Sequence, residues 1–231
     1  MNLLLLSNST NPGEEYLSWP REYLNSFLEG IDDDILFIPY AGVTISWDDY
    51  FEAVEAAFEP LNKEVTSIHH TLNPEKAVMK ARAILVGGGN TFQLFNEIQE
   101  NGLLLPIRKR VEEGMPYVGW SAGSNVACPG LHTSNDMPIV EPVSFDGLHL
   151  VNYQINPHYT SKTIEGHGGE SRDQRLAEFL AANPDKKVVG LRESSLIEVQ
   201  GDVHTIRGNN PARLFSIEGT TEIEIGGQIQ V

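Results

Sequence analysis

Pro116-Tyr117-Val118-Gly119-Trp120-Ser121-Ala122-Gly123 decides how the rest of the chain is read. Pro116–Gly119 predicts a buried strand, and Ser121 opens a helix. A serine in that position sits on a sharp, strained strand-to-helix turn, with its hydroxyl exposed above the sheet. The glycines two residues to either side leave room where a side chain would clash. The start of the helix offers free backbone N–H groups to a developing oxyanion. A G-x-S-x-G match alone arises easily by chance, and a serine that merely caps a helix is the plain alternative. The strand–turn–helix context favours a nucleophile.

Outward from this elbow, short apolar runs alternate with helical patterns. Asn2–Ser7 predicts a strand followed by a turn-rich stretch, and Glu14–Leu28 a helix. Asp34–Pro39, Val65–His69 and Ala83–Val86 predict further strands. Phe51, Val54, Phe58 and Leu61 recur at helical spacing, so Trp47–Leu61 predicts an amphipathic helix. Glu75–Ala81, the stretch from Asn90 to Glu100, Leu103–Glu113 and Arg172–Ala182 predict others. This rhythm implies an α/β fold: a mainly parallel sheet with helices on both faces. Such sheets bind ligands outside the carboxyl ends of their strands. Beyond Val188, short runs separated by Gly-rich turns predict strands that complete the sheet or form a small flanking one. No repeat or linker interrupts residues 1–231, so one domain is expected.

The chain of 231 residues carries 32 acidic and 16 basic side chains, a formal charge of −16. That excess argues against a nucleic-acid or anionic-membrane partner, both of which need a basic face. The acid is unevenly spread. Residues 1–75 hold 14 acids and 2 bases, whereas residues 76–175 hold 10 and 9. The elbow therefore lies in a near-neutral window. The single Cys128 excludes a disulfide framework and a cysteine-based zinc site. It is expected to be a small buried hydrophobe rather than a second nucleophile. No leader or spanning segment is visible, and the cytoplasm is the expected compartment.

A serine nucleophile needs a base and an orienting acid. Of seven histidines, His158 in Gln154-Ile155-Asn156-Pro157-His158 fits best, at a strand end after an apolar stretch. His69 and His70 end a strand outside the neutral window, and His204 lies among the tail hairpins. Two acids qualify. Asp136 gives the order Ser…Asp…His, and Glu193 follows a strand at Val188–Leu191. Periodicity does not choose between them. Val86-Gly87-Gly88-Gly89-Asn90-Thr91, at another strand end, lets a ligand approach the backbone closely but lacks a phosphate-binding signature. It suits the second half of an oxyanion hole. His167, Glu170 and Arg172 lie in a Gly-rich stretch, where an arginine can hold a substrate carboxylate or form a helix-start salt bridge.

Together, Gly119-Trp120-Ser121-Ala122-Gly123, Cys128-Pro129, Asn135-Asp136-Met137-Pro138, Gln154-Ile155-Asn156-Pro157-His158, Leu3–Thr10 and Val86–Leu94 resemble the peptidase E family of α-aspartyl dipeptidases. The likeness runs from residue 1 to about residue 200. It implies a cytoplasmic serine peptidase with a fold related to class I glutamine amidotransferases, using no metal or other cofactor. The implied substrate is a dipeptide with an N-terminal aspartate, and the chain is expected to be a monomer or homodimer. Ser121 matches the family nucleophile and His158 its base, while Asp136 and Glu193 both fall on motif positions proposed for the third member. The amidotransferase-like layout favours Glu193, leaving Asp136 to order the site or meet the substrate ammonium. Gly88 or Gly89, with Ala122, would hold the oxyanion, and Arg172, Asn90 and His167 the aspartate side chain. A cyanophycinase-like exopeptidase, an α/β-hydrolase esterase and a non-catalytic binding module are the competing readings.

Overall fold

The computed structural model describes residues 1–162, 166 and 168–230. Its centre is a seven-stranded sheet. β1 (Asn2–Leu6) pairs in parallel with β5 (Tyr117–Trp120), and β5 with β4 (Ala83–Val86). β2 (Ile35–Ile38) and β3 (Val65–Ser67) continue the parallel run beyond β4. On the other side of β1, β8 (Ser195–Gln200) and β9 (Val203–Gly208) are antiparallel, giving the order β3-β2-β4-β5-β1-β8-β9. A second sheet has the order β11-β10-β7-β6, built from β6 (Gln154–Asn156), β7 (Val188–Gly190), β10 (Ala212–Ser216) and β11 (Gly219–Ile223). The tail strands thus do both things expected of them: β8 and β9 extend the large sheet, and β10 and β11 complete the small one.

The four leucines of β1 show why the large sheet is covered twice. Successive side chains point to opposite faces. Leu3 and Leu5 join one core with Ile84, Phe95 and Ile107, while Leu4 and Leu6 join another with Phe37, Val54 and Phe58. The first core is closed by α3 (Pro74–Lys80), α4 (Thr91–Glu100) and α5 (Leu104–Glu112). The second is closed by α1 (Arg21–Phe27) and α2 (Trp47–Phe58). Both faces being buried, β1, β2 and β4 read as unbroken apolar runs.

The helix expected over Glu14–Leu28 is shorter than its pattern. Residues 12–20 form turns, and only Arg21–Phe27 is helical. Leu17 adopts a left-handed φ of 54°, and Pro20 stands just ahead of the first helical residue, where its missing N–H does no harm. α7 (Arg172–Ala182) occupies the predicted span and starts with a Ser171/Gln174 capping box. The serine of the elbow is followed by a short helix, α6 (Ala122–Val126). Among the described residues, no helix is long and apolar enough to cross a membrane.

Candidate active site

Three neighbouring strands, β4, β5 and β1, bring their carboxyl ends together, since Val86 pairs with Gly119 and Leu6 with Trp120. Ser121 follows β5 in a conformation with φ 52° and ψ −109°, outside the comfortable regions for an L-residue. Such strain persists only where surrounding contacts over-determine it. Here the Ser121 N–H donates to the Leu6 carbonyl at 3.0 Å, and the Ser124 hydroxyl donates to the same carbonyl at 2.7 Å. The turn admits no bulk: a Cβ on Gly123 would stand 2.1 Å from the Val86 oxygen, and one on Gly119 2.5 Å from the Gly123 oxygen.

The second sheet supplies the partners. β6 and β7 are parallel, with Asn156 opposite Gly190, so the segments leaving them run side by side. His158 leaves β6 and Glu193 leaves β7. His158 Nε2 lies 2.9 Å from Ser121 Oγ, and Nδ1 lies 3.1 Å from Glu193 Oε1. An ionised carboxylate can only accept, so Nδ1 carries the imidazole proton and Nε2 accepts from the serine hydroxyl. Like Ser121, His158 has a left-handed φ, 53°. Its N–H donates to the Ser7 hydroxyl at 2.8 Å, and that hydroxyl donates to the Leu191 carbonyl at 2.8 Å. Next to Glu193, the Ser194 N–H donates to Asn8 Oδ1 at 2.8 Å, and Asn210 donates to the Glu193 carbonyl at 2.8 Å.

Asp136 stands elsewhere in the same cavity. Its Oδ2 accepts from the Thr91 N–H at 2.8 Å and from the Ser134 hydroxyl at 3.1 Å, as well as from the Thr91 hydroxyl. It makes no hydrogen bond to His158. Its visible work is to tie the loop before β6 to the start of α4. Asn90 caps α4 by accepting from the Gln93 N–H at 3.1 Å, and its amide donates to the Met137 carbonyl at 2.9 Å. The second N–H of that amide has no acceptor among the described residues.

The glycine loop presents donors. Gly87 N–H is bound to the Ile38 carbonyl and Asn90 N–H to the Ala41 carbonyl. Between them, the N–H groups of Gly88 and Gly89 have no acceptor among the described residues, nor does that of Ala122. Gly89 has φ 137°, and a Cβ there would lie 2.2 Å from the Ala41 oxygen, so only glycine fits. The Gly88 carbonyl accepts from the Tyr50 hydroxyl at 2.9 Å. In a trans peptide the carbonyl and the following N–H point in opposite directions. Tyr50 therefore sets the direction of the Gly89 N–H. Trp120 Nε1 and the Tyr16 hydroxyl donate in turn to the Tyr50 oxygen, at 3.1 and 3.3 Å. Burial pushes the Tyr50 pKa up to about 12, so its hydroxyl stays a donor at neutral pH.

These groups face a cavity of about 830 Å³ lined by Ser121, His158, Gly88, Gly89, Asp136 and Tyr50, with an apolar wall that includes Val43, Ile45 and Ile139. Among its described lining residues there is no lysine or arginine. Arg172 is the first residue of α7, half-buried, and is not in that lining. It has no hydrogen bond or ion pair among the described residues, and burial and then the neighbouring Arg175 lower its pKa. His167 lies outside the described residues. Cys128 is buried, and desolvation raises its thiol to about 12, which removes any thiolate nucleophile at neutral pH.

A model of peptidase family S51 matches residues 3–207. The chain belongs to peptidase family S51. A Nostoc sp. protein named peptidase E is 49% identical over 213 residues, covering 92% of this chain and 88% of that one. A Shigella flexneri peptidase E is 46% identical over 227 residues, covering 98% of this chain and 99% of its relative. A crystal structure of a peptidase from an acI-B1 actinobacterium superposes with a TM-score of 0.75 at 18% identity, covering 100% of this chain and 96% of that one. That last likeness bears on the fold. As an S51 member, the chain is a serine peptidase.

The sequence pattern did not point to the residues that hold Ser121, His158, Glu193 and the glycine loop of this S51 member in place. Ser7 and Asn8 stood inside a stretch read as a buried strand with a turn after it. A polar Ser-Asn pair at the carboxyl end of an apolar strand was the available signal. For Tyr16 and Tyr50, nothing in the pattern pointed to the glycine loop.

Proposed function

We propose that this S51 peptidase is a dipeptidase that cleaves Asp-X, forming an acyl-enzyme on Ser121. The observation that carries the chemistry is the continuous line from Glu193 through His158 to Ser121, opening on a cavity with the unpaired N–H groups of Gly88, Gly89 and Ala122. His158 Nε2 takes the hydroxyl proton as Ser121 Oγ attacks the aspartyl carbonyl carbon. The free N–H groups receive the oxyanion, an interaction stronger in the transition state than in the ground state. The bond to X breaks, and the amine leaves with the proton from His158. Water then attacks the ester by the reverse proton path, releasing aspartate. Glu193 fixes the imidazole tautomer and balances the imidazolium.

Recognition of aspartate needs groups of both signs. Asp136 is the carboxylate of the cavity available to the substrate ammonium, through the oxygen not bound to Thr91. Arg172 is the cation proposed for the aspartyl side chain. A half-buried guanidinium in the first turn of a helix faces the positive end of the helix dipole, and no acid of the described chain offsets it. An external carboxylate would. His167 and the free N–H of Asn90 are further proposed donors. The apolar wall of Val43, Ile45 and Ile139 suits an apolar leaving residue.

The test is a panel of Asp-Leu, Glu-Leu, Asn-Leu and β-Asp-Leu with cyanophycin, run beside labelling of Ser121 by a fluorophosphonate. Turnover of Asp-Leu well above the others is expected. Labelling of Ser121 with no turnover of Asp-Leu would keep the serine hydrolase and reject the substrate.

A further inference from the structure

We propose that Asp48, His69 and His70 form a site for a divalent transition-metal ion of the zinc class, separate from the catalytic cavity. Asp48 lies in the first turn of α2, and the two histidines occupy the single 3₁₀ turn that follows β3. One carboxylate oxygen, Asp48 Oδ1, stands 2.9 Å from His69 Nε2 and 2.7 Å from His70 Nε2. One ligand atom from each of the three residues falls within 4.8 Å of the other two. Metal–ligand bonds of about 2.0–2.2 Å place neighbouring ligand atoms roughly 3–3.5 Å apart, so an ion fits with small side-chain adjustment. None of the three lines the catalytic cavity.

Three features of the surroundings favour a metal over a chance meeting of polar groups. First, both imidazoles turn the same nitrogen, Nε2, towards the carboxylate. Second, His69 Nδ1 is engaged by the Ser67 hydroxyl at 2.6 Å, and Ser67 is buried. A hydroxyl can donate or accept, so it serves the present tautomer and also the one with Nε2 free to ligate. A partner of this kind on the second ring nitrogen is the usual support of a metal-bound histidine. Third, aromatic packing fixes both rings: Trp47 stands edge-on to His69 at 5.9 Å and Phe51 edge-on to His70 at 5.5 Å. Two imidazoles and one carboxylate suit zinc, nickel, copper or iron and disfavour magnesium and calcium, which prefer all-oxygen ligation. The His70 and Asp48 side chains are 51% and 72% exposed, so an ion enters without opening the fold and water completes its coordination.

A bound ion would join the start of α2 to the turn after β3, and would be a clasp rather than part of the hydrolytic chemistry. The test uses the full chain, stripped with EDTA and dialysed, then titrated with zinc chloride against a chromophoric chelator. Cobalt(II) absorption serves as a second readout. One equivalent should bind to the unaltered protein. His70→Ala and Asp48→Asn should each weaken it more than 10-fold, and Ser67→Ala by about 10-fold. Zinc should raise the melting temperature of the unaltered protein and leave that of Asp48→Asn unmoved. Absence of saturable binding, or binding unchanged in both His70→Ala and Asp48→Asn, would overturn the proposal. If His70→Ala fails to fold, Asp48→Asn alone decides, because that carboxylate is mostly solvent-exposed.

Discussion

Replacing Glu193 by glutamine separates the two candidate acids. The substitution keeps an acceptor near His158 Nδ1 and removes its charge. At 3.1 Å the contact is longer than the 2.7–2.9 Å typical of charge-assisted bonds. The His158 and Glu193 side chains are 40% and 55% exposed, so water screens the pair. A hydrogen bond to a charged group contributes about 1.5–3 kcal/mol, against about 0.5–1.5 for a neutral one. The difference, felt when the imidazolium forms, is roughly 1–2 kcal/mol, or about 5- to 30-fold in kcat/KM. That is far below the ~10⁴-fold seen where a buried orienting acid is lost, since the wrong tautomer is more easily corrected here. The assay is steady-state cleavage of Asp-Leu, with KM and kcat resolved. Glu193→Gln should lower kcat and leave KM nearly unchanged. Asp136→Asn should act mainly on KM and on stability, because its contacts are to Thr91 and Ser134. A mild effect of Glu193→Gln beside a collapse of kcat in Asp136→Asn would refute the assignment.

Arg172→Ala should lower kcat/KM on Asp-Leu by about 10- to 100-fold, the worth of a charged hydrogen bond, while fluorophosphonate labelling of Ser121 keeps its rate; equal activity of variant and parent on Asp-Leu would exclude Arg172 from recognition. Tyr50→Phe removes the hydroxyl that holds the Gly88 carbonyl and leaves the Trp120 N–H without its acceptor. Its kcat should fall about 10-fold, less than the 10²–10³ of a deleted oxyanion donor, with KM unchanged. Ser7→Ala leaves the part-buried His158 N–H without its acceptor, while the Leu191 carbonyl keeps the Tyr159 N–H. Its unfolding free energy should drop by about 1–3 kcal/mol in a denaturant titration, and its kcat should drop with it.

The elbow, the glycine loop and most of the strands were legible because each is a local pattern. An apolar run ending in Gly-x-Ser-x-Gly leaves few other folds open, and the capping box at Ser171 marks the start of α7. What local pattern does not encode is which distant segments meet. The turns of the tail announced hairpins, yet the edge that each would join depends on packing over nearly the whole chain: Asn2 pairs with Gln200, and Phe215 with Val188. The choice between Asp136 and Glu193 was open for the same reason. Both are loop carboxylates after apolar runs, and only the parallel pairing of β6 with β7 brings one of them to His158. Residues 14–20 show the opposite failure, a helical pattern broken by turn geometry at Leu17 and Pro20.

The end of β1 explains why the chemistry and the substrate choice can vary separately. Leu6, Ser7 and Asn8 are consecutive, and each holds one part of the proposed catalytic line. The Leu6 carbonyl takes the Ser121 N–H, the Ser7 hydroxyl takes the His158 N–H, and the Asn8 side chain takes the N–H beside Glu193. Three groups from two sheets are thus registered by three adjacent buried residues, the last of β1 and the two that follow it. Rigid elements hold reactive atoms more closely than loops do. The facing wall is different: Val43, Ile45 and Ile139 are on loops and at least 42% exposed, although they line the same cavity. On the proposed function, changes there should alter which dipeptide fits without moving Ser121 relative to His158. Residues on the β1 side should therefore affect kcat for every substrate alike, and residues on the loop side should change the ranking of substrates. A Ser7 variant that altered the order of the dipeptide panel, with kcat intact, would break this division.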